Sequence, residues 1–480
     1  MDETESDFFA DTRKNLASVF KKSSSNVEAG EEHMKCYLRI RPFSDAETER
    51  GENQECIDIM DDNTILTKAP KDSHTFKHYA HGLGKTSHKF TFSRIFDEDT
   101  TQKEFFDDTM LSLVRDFIDG QNCLVFTYGV TSSGKTYTIQ GKQSDAGILP
   151  RALDVLFNSI NNKQLYGITL KPKMFMDVSK LNTEEAEMEK KIKERIMKMS
   201  LEDVRDETIV LSISESLVDV FDIENRIREE TKISVEDQGQ IRFSIWCSFA
   251  EIYNEQIFDL LEPMPKKKNA KRPVLRLSDD KNGSPYIKGL KEVNVTTADE
   301  AYKILNIGQR NLSTACTKLN HSSSRSHCIF NIKIIRNVIL NDPSVCRLSL
   351  CDLAGSERSS KTLSQGDRLK EAGNINTSLM TLGRCIEMLR FNQNHKENNR
   401  IIPFRDSKLT RLFQNFFCGR GKAAMIVNVN QCASMFDETL HVFKFSAIAK
   451  QVRSYFKNFS FTSVSFNCWG LHYMNNYKYP

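Results

Sequence analysis

Residues 122–138, NCLVFTYGVTSSGKTYT, restrict what this chain can fold into more than any other stretch. The apolar run 123–128 reads as a strand buried on both faces. It leads into Gly129-Val130-Thr131-Ser132-Ser133-Gly134-Lys135-Thr136, which satisfies G-x-x-x-x-G-K-[ST]. Strand, glycine-rich turn and helix start, in that order, describe a phosphate-binding loop. The two glycines let the backbone curl until successive N–H groups face one anion, and the helix that follows adds the positive end of its dipole. Lys135 is placed to reach β- and γ-phosphates, and the Thr136 hydroxyl to ligate Mg²⁺. A bare pattern of this kind also occurs in Gly/Ser turns; the strand in front of it is what separates the two readings.

The rest of the chain fits a large α/β domain. Its 480 residues, 39% hydrophobic and 27% charged, can bury a sizeable core. Lys+Arg 67 against Asp+Glu 64 leaves a net charge of only +3, so attraction to an acidic partner must come from local patches. Nothing in this balance points to a specific nucleic acid. The twelve cysteines form no C-x-x-C pair and many sit in apolar runs, which suits reduced packing residues better than a zinc site. The acidic start lacks the layout of a secretory signal, and no apolar run has the length of a membrane span. The expected location is the cytosol or nucleus.

Residues 1–33 are charged and Ser-rich and are expected to form a flexible extension. From Met34 onward strand-like and helix-like runs alternate, as a sheet with helices on both faces requires: strands at 35–41, 56–60 and 89–92, then a helix over 105–118. Residues 167–240 read as a long charged insertion with one amphipathic helix starting at Asn182. Its stripe is Met188, Ile192, Ile196 and Met199, with Glu187/Lys191 and Glu189/Lys193 as i,i+4 pairs. Its charge density predicts an exposed satellite that the fold can do without. Beyond it come a strand at 241–249, a helix at 255–261, a basic loop at 266–272, helices at 298–313, 371–389, 407–417 and 436–450, and strands at 329–338, 345–351 and 424–429.

Further motifs narrow the chemistry. The run 348–351 ends in Asp352, a carboxylate placed for hydrated Mg²⁺, and Leu353-Ala354-Gly355-Ser356-Glu357 follows it at once. A glycine there lets a backbone N–H approach a γ-phosphate. Upstream, Asn320-His321-Ser322-Ser323-Ser324-Arg325-Ser326-His327 supplies hydroxyls and a guanidinium.

In this order and spacing, YGVTSSGKT, NHSSSRSH and DLAGSE resemble the phosphate loop, switch I and switch II of kinesin motor domains. Arg39-Ile40-Arg41-Pro42 resembles the adenine-side motif and residues 251–255 a central strand end. Residues 374–379 resemble the start of the switch II helix, and residues 403–411 the main microtubule-contact segment. The likeness runs from about 34 to 452. Val130 replaces the usual Gln, and the insertion exceeds that of transport kinesins; both features are similar to the mitotic kinesin-like proteins of the sixth class. Tyr137 stands where many kinesins carry His, and an aromatic ring survives that exchange.

The resemblance implies a P-loop NTPase with the kinesin-motor fold: a central, mostly parallel mixed sheet with helices on both faces. It implies a microtubule-stimulated ATPase acting at the spindle or in cytokinesis, with ATP and Mg²⁺ bound. Gly129 to Thr136 would hold the phosphates, while Tyr137 and Pro42 flank adenine with Arg39 and Arg41. Thr136 and Ser324 would coordinate Mg²⁺, with Asp352 acting through water. Gly355 would sense the γ-phosphate, an Arg325/Glu357 bridge would close the site, and Glu357 would accept the nucleophile's proton; Ser323 and Asn376 complete the implied catalytic set. The track is acidic tubulin, and Arg368, Lys370, Arg400, Arg405, Lys408 and Arg411 are the implied contacts. A GTPase is the rival enzyme class, but no N-K-x-D motif is present. A microtubule-binding module with little turnover is the non-enzymatic alternative. Residues 453–480 carry many aromatics and no heptad repeat, so the polypeptide as given is expected to be a monomer, its relatives' coiled coil lying outside it.

Overall fold

Period-two alternation in the long apolar runs sorts their side chains onto the two faces of one sheet. The computed structural model describes residues 29–52, 55–81, 84–198, 226–235, 240–263, 272–318, 325–339, 341–357, 367–395 and 397–457, without side chains for parts of the helices at 298–318 and 367–394. Two compact units divide the chain, Met1–Gly30 with Lys457–Pro480 and Glu31–Phe456; the second carries the architecture below. The expected extension 1–33 and tail 453–480 lie largely outside the described residues.

The main sheet has nine strands among the described residues: β1 Lys35–Ile40, β2 Arg94–Phe96, β3 Cys123–Tyr128, β4 Ile241–Tyr253, β5 Gln256–Asp259, β6 Val293–Val295, β7 His327–Val338, β8 Ser344–Asp352 and β9 Lys422–Val429. Their order is β5-β4-β7-β8-β3-β9-β1-β2, with β6 also pairing β4. The sheet is mixed, as expected, but its parallel share is half rather than most. The four pairings from β8 through β3, β9 and β1 to β2 are parallel, and the four among β4, β5, β6, β7 and β8 are antiparallel. The link 339–343 between β7 and β8 is too short for a crossover, so these strands must form a hairpin.

Alternation assigns the two layers. On β3, Cys123 and Val125 face one core while Leu124 and Phe126 face the other; on β9, Ala424 and Ile426 oppose Ala423, Met425 and Val427. The first core is closed by α1 Gln102–Thr109, α2 Leu111–Ile118, α4 Ile148–Ser159 and α6 Ala298–Lys318; the phosphate-loop helix α3 Lys135–Ile139 precedes α4. The second core is closed by α7 Asp367–Asn394, α8 Lys408–Phe417 and α9 Phe436–Ala449. No helix among the described residues is long and apolar enough to cross a membrane. The ten described cysteines are unbridged and, apart from Cys418, buried. Burial pushes the Cys36 thiol up to about 12, which keeps it an inert packing group.

Two expected helices come out differently. Residues 105–118 are two helices broken at Met110, next to Thr109, whose hydroxyl donates back to the Phe105 carbonyl at 2.6 Å and bends the chain. Residues 255–261 hold strand β5, because Asn254 and Glu255 take positive φ values of 50° and 55° and make a two-residue hairpin turn in which Tyr253 faces Gln256. A short apolar run after such a turn has no periodicity to separate strand from helix.

The expectation for the insertion is corrected most. It contains a hairpin, Leu170–Lys173 with Asp177–Lys180, and helix α5 Thr183–Met197, capped by Asn182, whose side chain accepts the Glu185 N–H at 2.8 Å. Met188 is 62% exposed, but Ile196 is buried in the first core beside Ile233, and Ile192 packs against it. The charges reach outward instead of pairing along the helix: Glu189 meets Lys171 at 2.5 Å and Lys193 meets Glu300 of α6 at 2.7 Å. Arg226, 6% exposed, forms a bidentate pair with Asp154 of α4 (2.6 and 2.8 Å) and donates to Asp299 of α6 at 2.8 Å. The described parts of the insertion are therefore fastened to the core.

Removing one member of a buried pair leaves the other charge desolvated. We expect Arg226→Met to lower unfolding free energy by about 3–5 kcal/mol, and Lys193→Met, at a more exposed pair, by about 1 kcal/mol or less. Urea denaturation of both variants measures the contrast; equal effects would return the segment to satellite status.

Candidate functional site

The parallel strands end together, and the polar residues of three separate motifs meet there. In the register of β8 on β3, Asp352 lies opposite Thr127, one residue short of the end of β3; on the other side Val427 of β9 lies opposite Tyr128. The crevice beyond the carboxyl ends of such strands is where α/β sheets bind ligands.

The phosphate loop is tightly wound. Ser132 and Gly134 take φ values of 61° and 95°, and a Cβ at Gly129 would run into the Asn428 carbonyl and the Ser133 hydroxyl, so only glycine fits. Lys135, 7% exposed, donates to the carbonyls of Gly129 (2.9 Å) and Val130 (2.8 Å). Burial lowers its pKa, opposed by the charges of Asp352 and Glu357. The Ser133 hydroxyl is buried without a hydrogen-bond partner. An ammonium held on its own loop's carbonyls, beside an unmet hydroxyl, suits a cradle for anionic oxygens.

Asp352 and Glu357 close this loop from the end of β8 and the segment after it. Thr136 donates its hydroxyl to Asp352 Oδ2 at 2.5 Å and Thr127 to Oδ1 at 3.1 Å, while burial holds the Asp352 carboxyl above its ordinary value. Glu357 accepts the Thr131 N–H at 2.9 Å and the Thr131 hydroxyl as well, and the Ser356 N–H donates to the Gly129 carbonyl at 3.1 Å. A Cβ at Gly355 would collide with the Glu357 carboxylate and the Thr131 hydroxyl. Arg325 stands in the turn before β7. Ser323 and Ser324 lie outside the described residues, and Asn376 lies on α7 without a described side chain.

The two arginines ahead of Pro42 differ. Arg41 donates to the Ser132 carbonyl at 2.6 Å and to Glu47 at 2.7 Å, which ties the phosphate loop to the segment after Pro42; Pro42 itself is exposed. Arg39 is buried, donates to Gln102 (2.7 Å) and Thr138 (3.2 Å), and lies 4.6 Å over the Phe105 ring and 5.4 Å over Tyr137. It supports the Tyr137 ring from inside. Tyr137, 37% exposed, donates its hydroxyl to Asp145 at 2.7 Å; burial and that bond push it up to about 12.

His327 has no role assigned from the sequence, although it ends the NHSSSRSH motif. It is buried, its Nδ1 accepts the Ala354 N–H at 3.0 Å, and its Nε2 lies 2.8 Å from Ser378 Oγ on α7. Because Nδ1 must accept, the proton sits on Nε2 and is donated to Ser378. One neutral imidazole thus ties β7, the loop after Asp352 and helix α7. Burial, helped by the Lys135 charge, pushes its pKa down to about 3. The signal that could have revealed it is a histidine opening a strand otherwise buried on both faces.

The basic residues near α8 are unequal. Arg405 and Lys408 are exposed, and Arg400 is exposed with its guanidinium 3.9 Å from the Phe391 ring centroid. Arg411 pairs with Asp279 at 2.6 Å and Asp406 with Arg384 at 3.2 Å. The side chains of Arg368 and Lys370 are not among those described.

Comparison with known proteins agrees with this geometry. The model of the kinesin motor domain matches residues 39–452. The chain is 45% identical over 455 residues to kinesin-like protein KIF20A of Bos taurus, covering 88% of this chain and 51% of that protein. It is 37% identical over 431 residues to kinesin-like protein KIF23 of Mus musculus, covering 87% and 43%. It spans about half the length of the curated relatives it matches. A solved structure described as kinesin 6 aligns with a TM-score of 0.66 at 30% identity, covering 86% of this chain and 98% of that one. The KIF14 dimer, with AMP-PNP in complex with a microtubule, aligns at 0.65 and 25% identity, covering 88% and 95%. A phosphate loop, two switch motifs and a family match running through all of them make this chain a member of the kinesin motor domain family, similar within it to the sixth class.

Proposed function

We propose that the domain at 34–452 is an ATP hydrolase whose nucleotide cycle is coupled to microtubule binding, as its family membership implies, and that it works on spindle microtubules or in cytokinesis. The observation that carries the reading is the direct linkage of phosphate loop and switch loop: Thr136 to Asp352, Thr131 to Glu357 and Ser356 to Gly129. A site joined this way responds as a unit when a phosphate enters or leaves.

Lys135 exchanges its carbonyl partners for β- and γ-phosphate oxygens. The oxygen donors Thr136, Asp352 and Ser324 suit a hard cation such as Mg²⁺. Bound there, Mg²⁺ supplies neutralisation of charge on the β- and γ-oxygens. Tyr137 offers its ring to adenine, braced by Arg39, while Arg41 and Pro42 set the near edge. Gly355 presents a backbone N–H to the γ-phosphate. Glu357 leaves Thr131, pairs with Arg325 and accepts the proton of the attacking water through a second water, with Ser323 and Asn376 positioning the nucleophile. Exposed Arg400, Arg405 and Lys408, with Arg368 and Lys370, form the basic face that meets acidic tubulin. His327 is a positioning residue that keeps the Ala354 backbone and α7 in step.

Three outcomes test this. Lys135→Ala should abolish ATP binding, measured with a labelled ATP analogue, because the loop has no other cation; near-normal affinity would sink the assignment. Glu357→Ala should still bind ATP while microtubule-stimulated turnover falls by about 10²-fold or more; unchanged turnover would remove Glu357 from the chemistry. The third concerns pH. His327 is depressed in the fold, so below its ordinary value of 6.5 the unfolded chain binds more protons and stability falls. That loss has a limiting slope of about 1.4 kcal/mol per pH unit. The stability advantage of wild type over His327→Asn should therefore shrink between pH 7.5 and 5, and a constant difference in urea titrations would contradict the neutral link.

A further inference from the structure

Away from the nucleotide crevice, a cavity of about 200 Å³ lies between the insertion's hairpin, strands β7 and β8, and helix α8. Its walls are of two kinds. Leu290, Ile329, Leu412, Phe413 and Phe416 make an apolar side, and Lys171, Lys173, Lys333 and Arg347 make a cationic one. Glu292 is the one carboxylate lining it, and Lys333 holds that group at 2.6 Å while also donating to the Met174 carbonyl at 2.9 Å. Lys171 is engaged by Glu189.

Arg347 is different. It is 8% exposed, its guanidinium lies 4.8 Å from the Phe175 ring centroid and 5.0 Å from that of Phe416, and no ion pair to it occurs among the described residues. Its Nε is buried without a hydrogen-bond partner. Burial lowers its pKa to about 10, opposed only by the charge of Glu292, so it remains a cation at neutral pH. A guanidinium stacked between two rings keeps its N–H donors in its own plane, and an unpaired buried charge is costly enough that natural sequences rarely keep one without use. The residue does not serve packing alone, since an apolar side chain would fill the same space at no desolvation cost.

We propose that this cavity is a binding site for a small organic anion, a single ring bearing one carboxylate or phosphate, with Arg347 as its anchor. Size, charge and shape agree. The volume exceeds the roughly 150 Å³ that holds one benzene and falls below the range of drug-sized pockets. The anionic group meets the Arg347 fork, the geometry in which guanidinium recognises such groups most strongly, and the ring lies on Phe413 and Leu412. The location gives the site reach: β7 and β8 continue from the cavity floor to His327 and Asp352, and α8 carries Lys408 at its start. The lid, Lys171 to Met174, belongs to the insertion.

The test uses the full chain with Mg²⁺ and ADP present, so that the phosphate loop is engaged, and titrates benzoate, phenyl phosphate and benzylamine by calorimetry and thermal shift. Benzoate or phenyl phosphate should bind in the millimolar range or tighter and raise the melting temperature, the tighter of the two identifying the anion, while benzylamine does neither. Arg347→Met, which removes an unpaired charge and keeps the packing, should fold and bind the anion at least about tenfold more weakly. If that variant does not fold, Leu412→Trp, which fills the cavity from α8, should abolish the shift. Absence of any benzoate or phenyl phosphate response in wild type, an equal response to benzylamine, or undiminished anion binding in the variants would overturn the proposal.

Discussion

The parallel register of β8 on β3 is the constraint on which the site depends. With Asp352 opposite Thr127, both strands deliver their following loops to one crevice. The links between Thr136 and Asp352, Ser356 and Gly129, and Glu357 and Thr131 are all consequences of that alignment. A slip of one residue would turn the Asp352 carboxylate to the opposite face and bury it in a hydrophobic core. The register is protected by the same alternation that builds the two layers, since Leu348 and Leu350 belong to one core and Cys351 to the other. Stability and chemistry are thus specified by one pattern.

The insertion is drawn into this arrangement by charge. Glu229 pairs with Arg151 at 2.6 Å, Arg151 lies 3.7 Å from Asp145, and Asp145 accepts the Tyr137 hydroxyl at 2.7 Å. A path of polar contacts therefore runs from the far end of the insertion to the ring beside the phosphate loop. Its first two members, Glu229 and Arg151, are buried, where an unpaired charge is expensive, so that end of the path holds together more firmly than an exposed pair would. High charge density does not imply a solvated surface when each charge has a partner on a neighbouring element.

What was legible in the sequence follows from range. The phosphate loop, the strand before it and helices α8 and α9 rest on local patterns: glycines at fixed spacing, continuous apolar runs, apolar residues at helical period. Features set by distant partners were not legible. Nothing near Glu189 announces Lys171, and nothing near Arg226 announces Asp154. Arg39 reads as part of a strand and of the motif that ends in Pro42, and Gln102, Phe105 and Thr138 gather around it only once α1 is packed on β1. The turn at Asn254 and Glu255 was missed for a local reason, because Glu is an uncommon residue at positive φ. Arg347 lies in a strand whose alternation predicts burial, and only the three-dimensional structure shows that, among the described residues, no carboxylate forms an ion pair with it.

The loop that follows Asp352 shows how such a site can transmit a change. Its backbone is held on both sides of Gly355, by the bond from Ala354 to His327 and by the bond from Ser356 to Gly129. Glu357 adds a third anchor on Thr131. A displacement of Gly355 toward a phosphate must therefore strain or break one of these bonds, and the first of them is shared, through a single imidazole, with Ser378 on α7. Because the imidazole is buried and neutral, water offers it no substitute partner, so moving Ala354 without moving Ser378 leaves a polar group unpaired at a cost of about 1–3 kcal/mol. That penalty is comparable to the coupling energies by which two sites influence each other. In this domain the connection between nucleotide crevice and the long helix requires no more than two hydrogen bonds on one ring.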